Sequence, residues 1–374
     1  MERNFWNDLG EVTSIWEKLR RTDKPIALYG MGLGAEKIMR ILEREGIAVQ
    51  AIFASDGFVR GHSFRGFKVL SFSELKEQYE DPFVLISFGS QRPEVLELMK
   101  NVAAQFETAA PDVPVAGDIL FTPAFLRERA ADWETVYRML ADDKSREVFL
   151  QTIRYKIDGD ISRLFACETD KEEVWENIIL PGENETFVDL GAYTGDTARE
   201  LLEHSQNRCR AIVAVEPDAK TFRKLKAFSE AEPYAHLDIR CYNAGAWDKH
   251  ETLTFRRQAG RNSAIAFSDS PTMKIPGLHE IAVQMEAPDD LVEGLSPSIV
   301  KFDVEGAEHQ ALLGCARMIR EYHPKLMVSA YHRSDDMIDL PLLIHELYPG
   351  YRMYLRHHPY VPAWETNFYC VPEE

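Results

Sequence analysis

The 374-residue sequence has no run of apolar residues approaching the ~20 that a membrane-spanning helix needs, so no segment is expected to cross a bilayer. Its five cysteines, Cys167, Cys209, Cys241, Cys315 and Cys370, include no C-x-x-C pair. That scatter argues against a thiolate zinc site and against a disulfide frame, and implies reduced thiols in a cytoplasmic protein. The first residues, MERNFWNDLGEV, lack the basic head and apolar core of a secretory leader. Positive charge is in short supply: 43 Lys and Arg stand against 61 Asp and Glu, a net charge of −18. A surface that acidic repels phosphate backbones, so nucleic acid is not an expected partner. The cluster Arg20, Arg21 and Lys24 is too small to reverse this. Internal repeats, low-complexity segments and tight H-x-x-x-H spacings are also missing.

What is present is a globular composition, 45% hydrophobic and 28% charged, over a length that exceeds one typical domain. Residues 1–122 are expected to form a Rossmann-like α/β unit with a leading helix. In residues 1–22, Phe5, Trp6, Leu9, Ile15, Trp16 and Leu19 recur at helical spacing. Residues 25–120 then alternate strand and helix: PIALYG, VQAIFASD, FKVL and PFVLISFGS read as strands. That alternation implies a parallel sheet covered on both faces. Residues 123–180 read as a helical connector. Residues 181–374 form a second α/β unit, with strands at TFVDL, AIVAVE, DIRCYN, SIVKFD, KLMVSA, YRMYLRHH and TNFYCV. Seven strands with the last two joined as a hairpin are the methyltransferase variant of the doubly wound sheet.

The most informative stretch is residues 186–197, TFVDLGAYTGDT. It reads as a strand ending in Asp189, a turn over Gly191, Ala192, Tyr193 and Gly195, and a helix opening at Asp196 and Thr197. Glu216, followed by Pro217, closes the next apolar run, AIVAVEP. A glycine turn followed by an acid after the next strand holds an adenosine, the acid accepting from the ribose hydroxyls. The spacing differs from the G-x-G-x-x-G of dinucleotide sites and fits S-adenosylmethionine, which has no pyrophosphate. Asn243, Ala244 and Gly245, small residues after the third strand, are expected beside the adenine.

Substrate-facing groups in such a sheet sit at the C-terminal ends of strands. After the fourth strand comes KFDVEGAEHQALLG, with Asp303, Glu305 and Glu308. Helix capping accounts for part of this acidity, but not for Asp303 at the strand end. After the fifth strand comes His332, the expected general base, because its ordinary pKa near ~6.5 suits proton removal at neutral pH. Asp303, Glu305 and His332 are thus the expected catalytic residues, with Asp303 also on the cofactor side. The same three are the weak candidates for a divalent metal site. Arg356, His357 and His358 precede Trp364, Glu365 and Thr366, and Glu365 could lie at the same mouth.

The first unit has its own glycine turn, Gly30-x-Gly32-x-x-Ala35, with Asp56 placed where a ribose-binding acid would sit. Two readings stay open: a bound nucleotide, nucleotide-sugar or NAD, or glycines that serve only close packing of helix on strand.

The motifs VDLGAYTGDT, VEPD, KFDVEGAEHQALLG, the YH after the fifth strand and the late YLRHH…ETNFYCV resemble the FkbM-type family of S-adenosylmethionine-dependent methyltransferases. The resemblance covers about residue 130 to the end. It implies O-methylation of a hydroxyl on a sugar, glycan or natural-product metabolite, with Asp189, Gly191 and Glu216 at cofactor positions. Tyr193 departs from the asparagine-type residue more frequent there. The alternatives are an enzyme using a nucleotide-sugar or NAD through the N-terminal unit, and a degenerate methyltransferase that senses a ligand. The acceptor is not legible, and whether the chain pairs with itself as a homodimer stays open.

Overall fold

The structure, a computed structural model, describes residues 4–59, 61, 63–258, 265–267 and 278–373. The N-terminal unit is built on a six-stranded sheet. Its strands are β1 (Ile26–Tyr29), β2 (Ala51–Ala54), β3 (Ser63–Phe64), β4 (Phe67–Ser71), β5 (Phe83–Ile86) and β6 (Thr108–Ala109), in the order β3-β4-β2-β1-β5-β6. Every pairing is parallel except the β3–β4 hairpin. β1, β2 and β5 are buried at every position, which is why they read as unbroken apolar runs instead of alternating ones. Helices Leu33–Arg44, Phe72–Gln78 and Pro93–Ala103 make the crossovers. The second of these opens in a capping box between Ser71 and Glu74.

The C-terminal unit holds β7 (Glu185–Leu190), β8 (Cys209–Val215) and β9 (Ile239–Tyr242), then a small insertion of β10 (Gly245–Ala246), β11 (Glu251–Gln258), β12 (Ile265–Phe267) and β13 (Leu278–Glu286). The main sheet resumes with β14 (Ile299–Phe302), β15 (Lys325–Ser329), β16 (Tyr351–His357) and β17 (Thr366–Pro372). Its order is β16-β17-β15-β14-β7-β8-β9, with β17 antiparallel to both neighbours. This is the seven-stranded sheet with a terminal hairpin that the strand pattern predicts. The insertion forms a separate sheet, β10-β13-β11-β12, which the strand pattern does not announce. Strand order reverses between β7 and β14, so the crevice beyond those two strand ends is the place for a ligand.

Residues 123–180 are mostly helical. Their helices are core rather than cover: Trp133, Phe149 and Ile153 share one cluster with Val188, Val213, Leu355 and Phe368 of the main sheet. The leading segment differs from the single helix expected over residues 1–22. It is two helices, Phe5–Leu9 and Ile15–Arg21, and Gly10 at φ 68° ends the first. Phe5 and Leu9 pack into the C-terminal core, whereas Ile15, Trp16 and Leu19 pack into the N-terminal one. Among the described residues no helix is long and apolar enough to cross a membrane.

Candidate active site

β7 delivers Asp189 fully buried, and the chain turns at Gly191 with φ 78°. A Cβ on residue 191 would overlap the carbonyl oxygen of Asp303, at the end of the neighbouring β14. At Gly195, φ 80°, a Cβ would lie 2.5 Å from the Phe228 ring. These glycines are therefore demanded by the protein's own packing, whatever ligand the turn also meets. Between them Ala192 is buried and Tyr193 is exposed with φ 47°, ahead of the helix Asp196–His204 that carries Asp196 and Thr197 in its first turn.

The Glu216 carboxylate reaches back to this turn. Its Oε2 accepts from Tyr193 N at 3.0 Å and its Oε1 from Asp218 N at 2.8 Å. Burial raises its carboxyl to about 7, although the two backbone donors work the other way. Asp189 is likewise raised by burial, to about 6, with Lys301 opposing, and its Oδ2 has no hydrogen-bond partner among the described residues. Asn243 fastens the loop after β8, donating to the carbonyls of Glu216 and Pro217 at 2.8 and 3.1 Å. Ala244 is buried. Gly245 is buried next to it. It is the first residue of β10, where a Cβ would meet the Met285 side chain at 2.6 Å.

Lys301 is the group that the sequence reading missed. It pairs in register with Asp189 across β14 and β7. Its Nζ lies 3.3 Å from Asp189 Oδ1, 3.1 Å from the Gly191 carbonyl and 3.6 Å from Asp303 Oδ2. Burial opposes its charge, but Asp189, Asp303 and Asp196 outweigh it and raise its pKa. The available signal was a lysine inside an otherwise apolar strand.

Asp303, Glu305, Glu308 and His332 converge. Asp303 Oδ1 accepts from the Tyr331 hydroxyl at 3.1 Å. Burial resists its ionisation, yet Lys301 and His332 hold its carboxyl below the ordinary value. Glu305 sits at φ 56°, a left-handed conformation uncommon for a non-glycine residue, with its side chain 51% exposed. Burial, then the charges of Asp303 and Glu308, raise its carboxyl despite His332. Glu308 is fully buried: its Oε1 accepts from Val304 N at 2.8 Å and lies 2.9 Å from His332 Nδ1. His332 Nε2 lies 3.7 Å from Asp303 Oδ1 and 3.7 Å from Glu305 Oε2. Burial alone would discharge His332, but the three carboxylates overcome it and raise the imidazole to about 10. Raised that far, the imidazole favours its charged form, which works against the general-base role expected of it.

The N-terminal unit borders this cluster. Ala116 N donates to the His332 carbonyl at 2.8 Å, and Ser334 Oγ donates to the Ile119 carbonyl at 2.6 Å. Ser90, just beyond β5, exchanges backbone hydrogen bonds with Val361, and a Cβ on Gly89 would lie 2.7 Å from Trp364. The Trp364 ring lies 5.3 Å from that of Tyr360, and Glu365 reaches Lys171 at 3.5 Å. Arg356, His357 and His358 do not join the mouth. Arg356 is buried against Asp142 and Ser145, His357 against Thr366, and His358 between the Thr169 carbonyl and Tyr369. Burial lowers the two imidazoles to about 3 and about 4, so both are neutral.

In the first glycine turn, Gly30 faces the Phe88 ring and Gly34 the Ser87 carbonyl, while Gly32, φ 123°, faces open space, and Ala35 is buried. The Asp56 carboxylate accepts from Ser73 N and Oγ at 3.2 and 2.9 Å, at the start of the helix Phe72–Gln78. Two glycines and the acid thus have structural work of their own.

Residues 189–362 match the family model described as the methyltransferase FkbM domain. No curated protein matches the chain. Among solved structures, methyltransferase FkbM from Methylobacillus flagellatus KT is similar over 95% of this chain and 92% of its own, with a TM-score of 0.71 and 20% identity. That likeness is one of fold, and it spans both α/β units. Fibrillarin from Aeropyrum pernix, solved with S-adenosyl-L-methionine, is similar over 50% of this chain and 66% of its own, at 13% identity and a TM-score of 0.31. A putative tRNA (m1A22) methyltransferase from Streptococcus pneumoniae is similar over 55% of this chain and 72% of its own, at 11% identity and a TM-score of 0.32. Likenesses that weak carry no argument.

Proposed function

We propose that this chain, whose residues 189–362 match the methyltransferase FkbM domain model, methylates a hydroxyl of a sugar, glycan or natural-product metabolite, using S-adenosylmethionine. The buried acids at the switch point fit such a cofactor. Asp189 has an unpartnered buried oxygen, and burial holds Glu216 near neutrality until donors arrive. Asp189, Gly191, Ala192, Tyr193, Gly195, Asp196, Thr197, Glu216 and Pro217 would hold it, with Glu216 accepting from ribose hydroxyls. When bound, S-adenosylmethionine supplies a methyl group on a sulfonium.

The observation that carries the reading is the position of Asp303. It shares Lys301 with the cofactor-side Asp189, and on its other side it meets Tyr331 and the His332 cluster. An acceptor hydroxyl entering there meets two carboxylates, Asp303 and Glu305, that can take its proton. His332 orients both acids and offsets their charge. The N-terminal unit contributes the far wall through the Gly89 and Ser90 turn beneath Trp364.

The test is transfer of a labelled methyl group from S-adenosylmethionine to a panel of hydroxyl-bearing sugars and metabolites. His332→Asn and Glu305→Gln should each lower turnover by ~10²–10⁴-fold while cofactor affinity holds. Turnover near the wild-type rate in both variants overturns the assignment.

A further inference from the structure

We infer that His332, Asp303 and Glu305 form a divalent-cation site, with Glu308 orienting the imidazole from behind. The inference rests on the proposed function only for the use to which the ion is put. His332 is almost wholly buried, and among the described residues its Nδ1 has no hydrogen-bond partner. Nδ1 faces Glu308 Oε1 at 2.9 Å, out of line for a hydrogen bond. Nε2 faces two carboxylate oxygens, from Asp303 and Glu305, both at 3.7 Å and both beyond hydrogen-bond reach. A ring nitrogen and two carboxylate oxygens, each 3.7 Å from that nitrogen, are near enough for one ion between them to reach all three at ordinary ligand distances.

Glu308 supplies an independent indication. It is fully buried, and its Oε2 has no partner among the described residues. A carboxylate 2.9 Å behind the far nitrogen of a buried histidine is placed to support a cation held on Nε2. Donor atoms of Asp303, Glu308 and His332 all lie within 4.8 Å of one another, so Glu308 is also near enough to enter the coordination shell. The left-handed backbone of Glu305 places its carboxylate opposite that nitrogen, a strained conformation of the kind that clusters at ligand clamps.

The donor set selects the class of ion. Two carboxylate oxygens and one imidazole, with no sulfur, suit Mg²⁺ or Mn²⁺ better than a soft metal. An ion on Nε2 takes the place of that nitrogen's proton and leaves positions for the oxygens of an acceptor. Bound there, it would lower the pKa of the acceptor hydroxyl and orient it.

The experiment uses the full-length protein stripped with a chelator and titrated with Mn²⁺, followed by electron paramagnetic resonance and calorimetry. One Mn²⁺ per chain is expected, displaced by Mg²⁺, with a nitrogen coupling in the spin-echo spectrum that disappears in His332→Gln. Glu305→Gln and Glu308→Gln should each weaken Mn²⁺ binding at least tenfold. Glu305 is half-exposed, so its variant should fold even if the Glu308 one does not. No Mn²⁺ binding at millimolar concentration, or wild-type affinity in Glu305→Gln, overturns the inference. S-adenosylmethionine affinity measured on the same samples keeps the two readings apart. Cofactor binding without Mn²⁺ binding defeats only the metal site, and Mn²⁺ binding without cofactor binding defeats only the proposed function.

Discussion

Gly191 and Asp303 meet backbone to backbone, with the Asp303 carbonyl oxygen occupying the space that a side chain on residue 191 would need. The ends of β7 and β14 are thus locked together by the absence of one methyl group. Gly191→Ala must both strain a residue at φ 78° and push β14 away. A loss of about 2 kcal/mol or more in chemical denaturation is expected, together with weaker cofactor binding. A variant that denatures like wild type would refute the lock.

Glu216 should make cofactor affinity depend on pH. Its carboxyl is raised by burial from 4.5 to about 7, so the ligand-free protein holds the proton near neutrality. Ribose hydroxyls donate to the ionised form, so binding should tighten as pH rises from about 6 to about 8. The linkage to folding has the opposite sense. Without ligand, this group costs stability progressively as pH climbs from 4.5 to about 7. Calorimetry across that range should show the slope in wild type and a flat, weaker profile in Glu216→Gln. A flat wild-type profile counts against ribose contact by Glu216.

Lys301→Met should leave Asp189 buried without its cation. Breaking a buried pair from one side costs ~3–5 kcal/mol. The deficit should shrink at pH 5, because Asp189, already raised to about 6, then carries its proton and needs no partner. Denaturation at pH 8 and pH 5 reads both values. An equal deficit at the two pH values would mean that the lysine acts through packing alone.

Gly89→Val should affect the acceptor and spare the cofactor. A side chain there drives into Trp364 and, through it, Tyr360, while the turn at Gly191 is untouched. Acceptor KM should rise severalfold with S-adenosylmethionine affinity unchanged. If both constants stay at wild-type values, the N-terminal unit does not wall the acceptor cleft.

The parts legible in the sequence were those set by local pattern. Apolar runs buried on both faces announced β1, β2, β5, β7 and β8, and the acids at strand ends followed from them. What escaped depends on neighbours that are distant in sequence. Lys301 gains its meaning only from the register that sets it against Asp189 across 112 positions. His332 looked like a free base because its ordinary pKa was the only one readable. Three carboxylates gathered from residues 303–308 change its charge state, and they meet it only when β14 and β15 lie side by side. Nothing local announced the insertion in which β13 returns to pair with Gly245.

The helix Asp143–Asp158 belongs to two cores at once. Val148, Phe149, Ile153 and Ile157 face the C-terminal one, while Tyr155 sits in the N-terminal one and donates to the Ala110 carbonyl at 2.9 Å. Together with the leading segment, which sends Phe5 one way and Trp16 the other, it stitches the chain in both directions. Neither half can therefore be lifted out as a cassette. A cut after residue 122 deprives the second half of Phe5 and Leu9, and the first half of Tyr155. Recombination between relatives would have to exchange the chain whole.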